Sequence, residues 1–272
     1  MMNRHHNVVI LFFGLLALAT GCQGLKNGDL QSVQTTSTSP RAGNVYLIRG
    51  LIGVFSTGMD TLGDQLTATG VRAHVYQDAQ WDYLGDQLVK TYKGKTQNSE
   101  PLVLIGHSYG ADDVVRVARK LDAAGIPVDL MITVDATVPP NVPKNVKLCY
   151  NYYQSTATDF IPMFRGIPLT PDPDAKLKIV NIDLRKERSD LLEPGTNHIN
   201  IDKNMKLHAV LVKHVEEVCL PRQTWAARHN GALSPSSQPS APAGNRVNNA
   251  QASNQRADAG NANIEATPGK AD

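Results

Sequence analysis

The sequence predicts an α/β fold: a mainly parallel sheet with helices on both faces. Short apolar runs alternate with stretches of helical spacing along residues 43–221, the pattern of strands joined by helical crossovers. One run, Leu102-Val103-Leu104-Ile105, is apolar without alternation, as suits a strand buried on both faces. It passes through Gly106-His107-Ser108-Tyr109-Gly110 into an amphipathic stretch, a sequence of strand, sharp turn and helix.

Taken in order, Val45, Tyr46, Leu47 and Ile48 make the first expected strand. Gly50-Leu51-Ile52-Gly53 turns the chain, and Met59, Leu62 and Leu66 mark a helix that ends near Gly70. Residues 71–76 form a second strand, and residues 81–90 a helix with Trp81, Leu84 and Leu88 on one face. After the central strand, Val114, Val115, Val117, Ala118 and Leu121 fall at helical spacing, and Gly125 suits the C-terminal cap. Residues 126–134 are the next strand and end in Asp135. The prolines at 139, 140 and 143 exclude helix and central strand there. Residues 146–153 and 177–182 are further strands, and residues 205–218 a closing helix.

The ends of the 272-residue chain are not ordinary globular sequence. Arg4 precedes an apolar run over residues 8–19 that is too short to span a bilayer comfortably, the form of a targeting segment. The following Leu18-Ala19-Thr20-Gly21-Cys22 resembles the lipobox of bacterial lipoproteins, with Ala19 where leucine is usual. That resemblance implies a signal peptide over residues 1–21 and a lipidated Cys22. It also implies a membrane-anchored protein of the bacterial cell envelope, favouring the periplasmic side of the outer membrane because Gln23 stands where a retention aspartate would be. Residues 22–42 read as the lipidated cysteine and a flexible tether. From Arg222 to residue 272 the chain is Ser, Pro, Gln, Asn, Ala and Gly, expected to be a disordered tail that could touch the cell wall. A net charge of +2, without a basic patch interleaved with aromatics, argues against a nucleic-acid partner. Cys149 and Cys219 are expected either as one disulfide or as two separate buried thiols.

The chemistry centres on Ser108. The flanking glycines let a strand-to-helix corner expose its hydroxyl, and the helix after it directs N–H groups to where negative charge would develop. Asp112 and Asp113 sit in that helix's first turn, where carboxylates are favoured. A serine nucleophile needs a base, usually a histidine held by a carboxylate. Of the eight histidines, His5, His6 and His229 are in the terminal segments. His74 is in a strand, His208 and His214 are on the last helix, and His107 is in the elbow itself. His198, in a loop between the last strand and the last helix, is the expected base. Asp135, at a strand end on the elbow's edge of the sheet, is the preferred acid, with Asp159 the alternative. Backbone N–H groups of Tyr109 and Leu51 are the expected oxyanion donors. This chemistry calls for no metal or cofactor.

Gly106-His107-Ser108-Tyr109-Gly110, Asn197-His198-Ile199-Asn200-Ile201-Asp202, Arg49-Gly50-Leu51 and Ser56-x-Gly58-Met59 together resemble an α/β-hydrolase. More narrowly they look like small bacterial exported hydrolases of lipase- or thioesterase-like type, with no long insertion that could form a lid. The resemblance covers about residues 43–220. It implies a minimal α/β-hydrolase fold, a serine hydrolase of carboxylic esters (or thioesters), and a lipid or small-molecule ester as substrate. A non-catalytic envelope lipoprotein using the same fold as a binding or scaffold module is the alternative.

Overall fold

The computed structural model describes residues 28–30, 33–51, 56–96, 99–156, 160–161 and 164–230. The signal segment with Cys22, the alternative acid Asp159 and residues 231–272 lie outside them. The described strands are β1 (Asn44–Ile48), β2 (Arg72–Tyr76), β3 (Leu102–His107), β4 (Leu130–Val134), β5 (Cys149–Tyr153) and β6 (Ile179–Asp183). The helices are α1 (Gly58–Ala68), α2 (Trp81–Thr91), α3 (Tyr109–Ala123), α4 (Met205–Val218) and α5 (Arg222–Asn230).

All six strands pair in parallel, in the order β2-β1-β3-β4-β5-β6. Both faces of β3 are buried, and its alternate side chains feed two cores. Leu102 and Leu104 pack with Leu84 and Leu88 of α2 and Val114, Val117 and Leu121 of α3. Val103 and Ile105 pack with Met59, Leu62 and Leu66 of α1 and Leu207, Leu211 and Val215 of α4. The continuous apolar run of β3 is therefore explained by helices on both sides of the sheet.

The strand order reverses between β1 and β3. From β1 the chain moves outward to β2, then returns across β1 to place β3 on its other side. Crossovers leave such a point in opposite directions, and a crevice opens there beyond the carboxyl ends of the strands. Leu51 follows β1 and Ser108 follows β3, so both stand at that crevice.

Two expectations are corrected and one open alternative is decided. Residues 33–42, read as a tether, pack on the domain. Val33 joins the core beside Tyr46 and Tyr92, and both tyrosine hydroxyls donate to the Gln34 carbonyl. The polar composition of this stretch hides an attachment made through backbone groups. Secondly, order does not stop at residue 221: Arg222–Asn230 is helical. The Arg222 guanidinium donates to buried Glu100 at 2.6 Å, and its backbone N–H donates to the Pro40 carbonyl. Of the two alternatives left open for Cys149 and Cys219, the structure has the second: they are separate buried thiols. Cys149 belongs to the core under α2 and α3 and Cys219 to the core under α1 and α4, so the sheet stands between them.

Candidate active site

Ser108 sits between β3 and α3 with φ 56° and ψ −125°, a left-handed conformation that side chains rarely adopt. Neighbours enforce it. A Cβ on Gly106 would collide with the Gly110 carbonyl, and one on Gly110 would collide with the carbonyls of Ile48 and Arg49. Ser108 N–H donates to Val134 at 2.9 Å, and its carbonyl accepts from Ala111 at 2.9 Å, starting α3. The serine is thus fixed at the mouth of the crevice by bonds to the neighbouring strand and to its own helix.

His198 reaches the same point from the far side of the chain. Its Nε2 lies 2.9 Å from Ser108 Oγ. Its loop is a tight local network. Asn197 Oδ1 accepts from Ile199 N–H at 2.9 Å, and Asn200 Oδ1 accepts from Asn197 N–H at 2.7 Å. Below the loop, Asp202 Oδ2 accepts the first N–H of α1, from Gly58, at 2.7 Å. The His208 ring Nε2–H donates to the Asp202 carbonyl at 2.6 Å. Burial, opposed mainly by the Gly58 bond, pushes the Asp202 carboxyl up to about 6.

Asp135 is fully buried directly after β4, and its Oδ2 lies 3.4 Å from His198 Nδ1. Gln154 holds the carboxylate twice, through its backbone N–H at 2.8 Å and its side-chain amide at 3.0 Å. Gly166 lies so close that a Cβ there would strike Asp135 Oδ1. Asp112 is turned away from this group. It accepts from Thr137 N–H, Thr137 Oγ1 and Val138 N–H, and so pins the segment after Asp135 to α3. Its carboxyl is raised by burial.

The structure therefore brings together Ser108, His198 and Asp135. The expected oxyanion residues, Leu51 and Tyr109, line the same cleft, which has a volume of about 240 Å³. A Cβ on Gly50 would stand 3.0 Å from Ser108 Cβ and 2.7 Å from Ser56 Oγ, so the backbone leading into Leu51 runs against the serine. Among the described residues no group of His, Cys, Asp and Glu could hold a metal ion.

Sequence reasoning missed four residues of the cleft. Phe164, at the end of a short proline-interrupted apolar run, and Ile199, beside the expected base, are 39% and 47% exposed, with no helical or strand period to single them out. Ser56 and His107 also line it and are bonded to each other at 2.8 Å. The only signal for this pair was that both fall within the motif segments, Ser56-x-Gly58 and Gly106-His107-Ser108.

A parallel sheet with helices on both faces, a serine elbow after its central strand and a histidine loop before its last long helix make up an α/β-hydrolase fold. No family model matches the chain, and no curated protein matches it. Solved structures similar to it include a protein of Xanthomonas campestris pv. campestris assigned to the α/β superfamily of hydrolases. It shows 11% identity over 64% of this chain and 99% of that one, with a TM-score of 0.37. The NocB thioesterase domain from the nocardicin cluster shows 15% identity over 65% and 93%, with a TM-score of 0.38. Est1E from Butyrivibrio proteoclasticus shows 13% over 66% and 89%, also with a TM-score of 0.38. The functional reading rests on the geometry of Ser108, His198 and Asp135 instead.

Proposed function

We propose that the protein is a serine hydrolase of carboxylic esters with an apolar acyl group. The observation that carries this reading is the 2.9 Å approach of His198 Nε2 to Ser108 Oγ in an apolar cleft. Ser108 Oγ attacks the ester carbonyl as its proton passes to His198 Nε2. Asp135, held by Gln154, keeps the imidazole oriented and stabilises it when charged. Backbone N–H groups of Tyr109 and Leu51 receive the oxyanion. His198 then protonates the departing alkoxide, leaving the acyl group on Ser108. Water enters, gives its proton to His198 and attacks the acyl carbonyl, and the carboxylic acid leaves as Ser108 regains its proton.

Leu51, Phe164 and Ile199 supply the apolar walls. The described residues lining the cleft include no Asp, Glu, Lys or Arg, which suits a neutral acyl group. We further propose that the chain is exported and anchored through a lipidated Cys22 in the bacterial envelope. Incorporation of an alkyne fatty acid that Cys22→Ala abolishes is the expected sign of the anchor.

The direct test of the enzyme is a fluorophosphonate probe on purified protein lacking the signal and anchor, with the labelled peptide located by mass spectrometry. Label on Ser108, lost in Ser108→Ala and His198→Ala, is the expected result. A folded protein that takes no label would sink the reading and leave the scaffold alternative.

A further inference from the structure

The geometry points to His107 as a positioning residue: together with Ser56 it fixes the backbone of His198 against the loop that carries Leu51. This inference rests on the hydrolase reading above and adds a part to it.

His107 precedes Ser108, yet its ring turns into the protein and is 2% exposed. Both of its nitrogens are engaged. Nε2 lies 3.0 Å from the backbone carbonyl of His198. A carbonyl only accepts, so Nε2 carries the proton and donates. Nδ1 is then bare and must accept, and the Ser56 hydroxyl donates to it at 2.8 Å. One tautomer is selected by the two partners together. The same Ser56 Oγ would stand only 2.7 Å from a Cβ on Gly50, so it packs against the backbone immediately before Leu51. The pair thus joins Gly50, which leads into the expected oxyanion donor, to the backbone of the expected base. The two rings lie 5.5 Å apart and are tilted by 38° rather than parallel, so the directed link between the two residues is the hydrogen bond.

A neutral ring is what this position needs. A second imidazolium beside His198 would oppose the charge His198 takes up from Ser108. Burial, reinforced by the nearness of His198, pulls His107 down to about 3. Its donor and acceptor therefore keep their places while His198 gains and loses a proton.

The test uses His107→Leu, His107→Gln and Ser56→Ala in the anchor-free protein, assayed on p-nitrophenyl butyrate. Glutamine can still present an N–H to the His198 carbonyl and an oxygen to Ser56; leucine can do neither. Misplacing the base lowers kcat for the leucine variant by about 100-fold while KM, set by the apolar walls, stays within about twofold. The glutamine variant recovers most of the loss, and Ser56→Ala falls between. A folded His107→Leu protein with wild-type kcat would overturn the inference, as would a glutamine variant no better than leucine. If the leucine variant does not fold, Ser56→Ala and His107→Gln decide: wild-type kcat in Ser56→Ala overturns the relay. Fluorophosphonate labelling of the wild type separates the two levels. Absence of label on Ser108 removes the hydrolase reading and this inference with it. Labelling that is equally fast in wild type and His107→Leu removes this inference alone.

Discussion

Ser108 Oγ and His198 Nε2, 90 positions apart in the chain, stand 2.9 Å from each other. In the proposed mechanism neither acts without the other, so their removal is not additive. Ser108→Ala and His198→Ala are each expected to lower kcat on a p-nitrophenyl ester by about 10⁴-fold or more, and the double variant to be no worse than either. A double variant showing the product of the two losses would mean that the groups act separately.

Asp135→Asn keeps an oxygen for Gln154 but loses the charge facing His198. A drop in kcat of about 10²–10⁴-fold is expected, with little change in thermal unfolding. Asp159→Asn is the paired measurement: near-wild-type kcat is expected, and the reverse pattern would move the acid's role to Asp159. Gly166→Ala should resemble Asp135→Asn, because the added methyl strikes the Asp135 carboxylate.

In the proposed esterase the walls of the cleft would set the acyl preference. Phe164→Ala removes a large apolar surface from one wall. Its kcat/KM on p-nitrophenyl octanoate should fall about 10-fold, in the range of a few methylenes of lost contact, while the acetate ester is hardly affected. Equal losses on both esters would show that Phe164 holds the site's shape rather than the chain.

Asp202 gives the protein a pH-dependent stability. Its carboxyl titrates at about 6 when folded, whereas an exposed aspartate titrates at about 3.9. Between these values the folded chain holds a proton that the unfolded chain has released, so stability falls as pH rises through the interval. Asp202→Asn keeps an acceptor for Gly58 and never ionises. Compared by urea unfolding, it should exceed the wild type by about 2 kcal/mol at pH 8 and match it at pH 4. A difference of the same size at both pH values would assign it to packing instead.

Arg222 ties the helix it begins to the folded unit. Glu100 is 4% exposed and has both the Arg222 guanidinium and the Gly43 N–H for partners. Arg222→Ala leaves that carboxylate short of its cation, which should cost about 2–3 kcal/mol of stability, somewhat less than for a fully buried pair. Truncation after residue 230 should leave the melting temperature unchanged, and truncation after residue 220 should lower it. Equal melting temperatures for the two truncations would restore the boundary read from composition.

What was legible in the sequence is what local pattern controls. The apolar run of β3, the two glycines around Ser108 and the position of His198 after β6 all follow from periodicity, turn sterics and chain order. Relations across the chain were not legible. Arg222 lies in a polar stretch, and only its pairing with Glu100, 122 positions away, makes it structural. Whether Cys149 and Cys219 could meet depended on which face of the sheet each occupies. The place of His107 in the elbow bars it from the neighbouring hydroxyl and hides any other role. Its contact with the His198 backbone required the His198 loop to fold over β3.

Ser108 and Asp135, at φ 56° and 48°, are the described residues other than glycine with positive φ, and both belong to the candidate site. Each such residue costs on the order of 1–3 kcal/mol that the surrounding sheet must offset. Glycine would relieve both, at the expense of the hydroxyl and the carboxylate. Laboratory evolution of this chain for heat resistance alone would therefore drift toward Ser108→Gly, a sturdier protein without the hydroxyl, whereas Asp135→Gly would leave both buried donors of Gln154 without their acceptor.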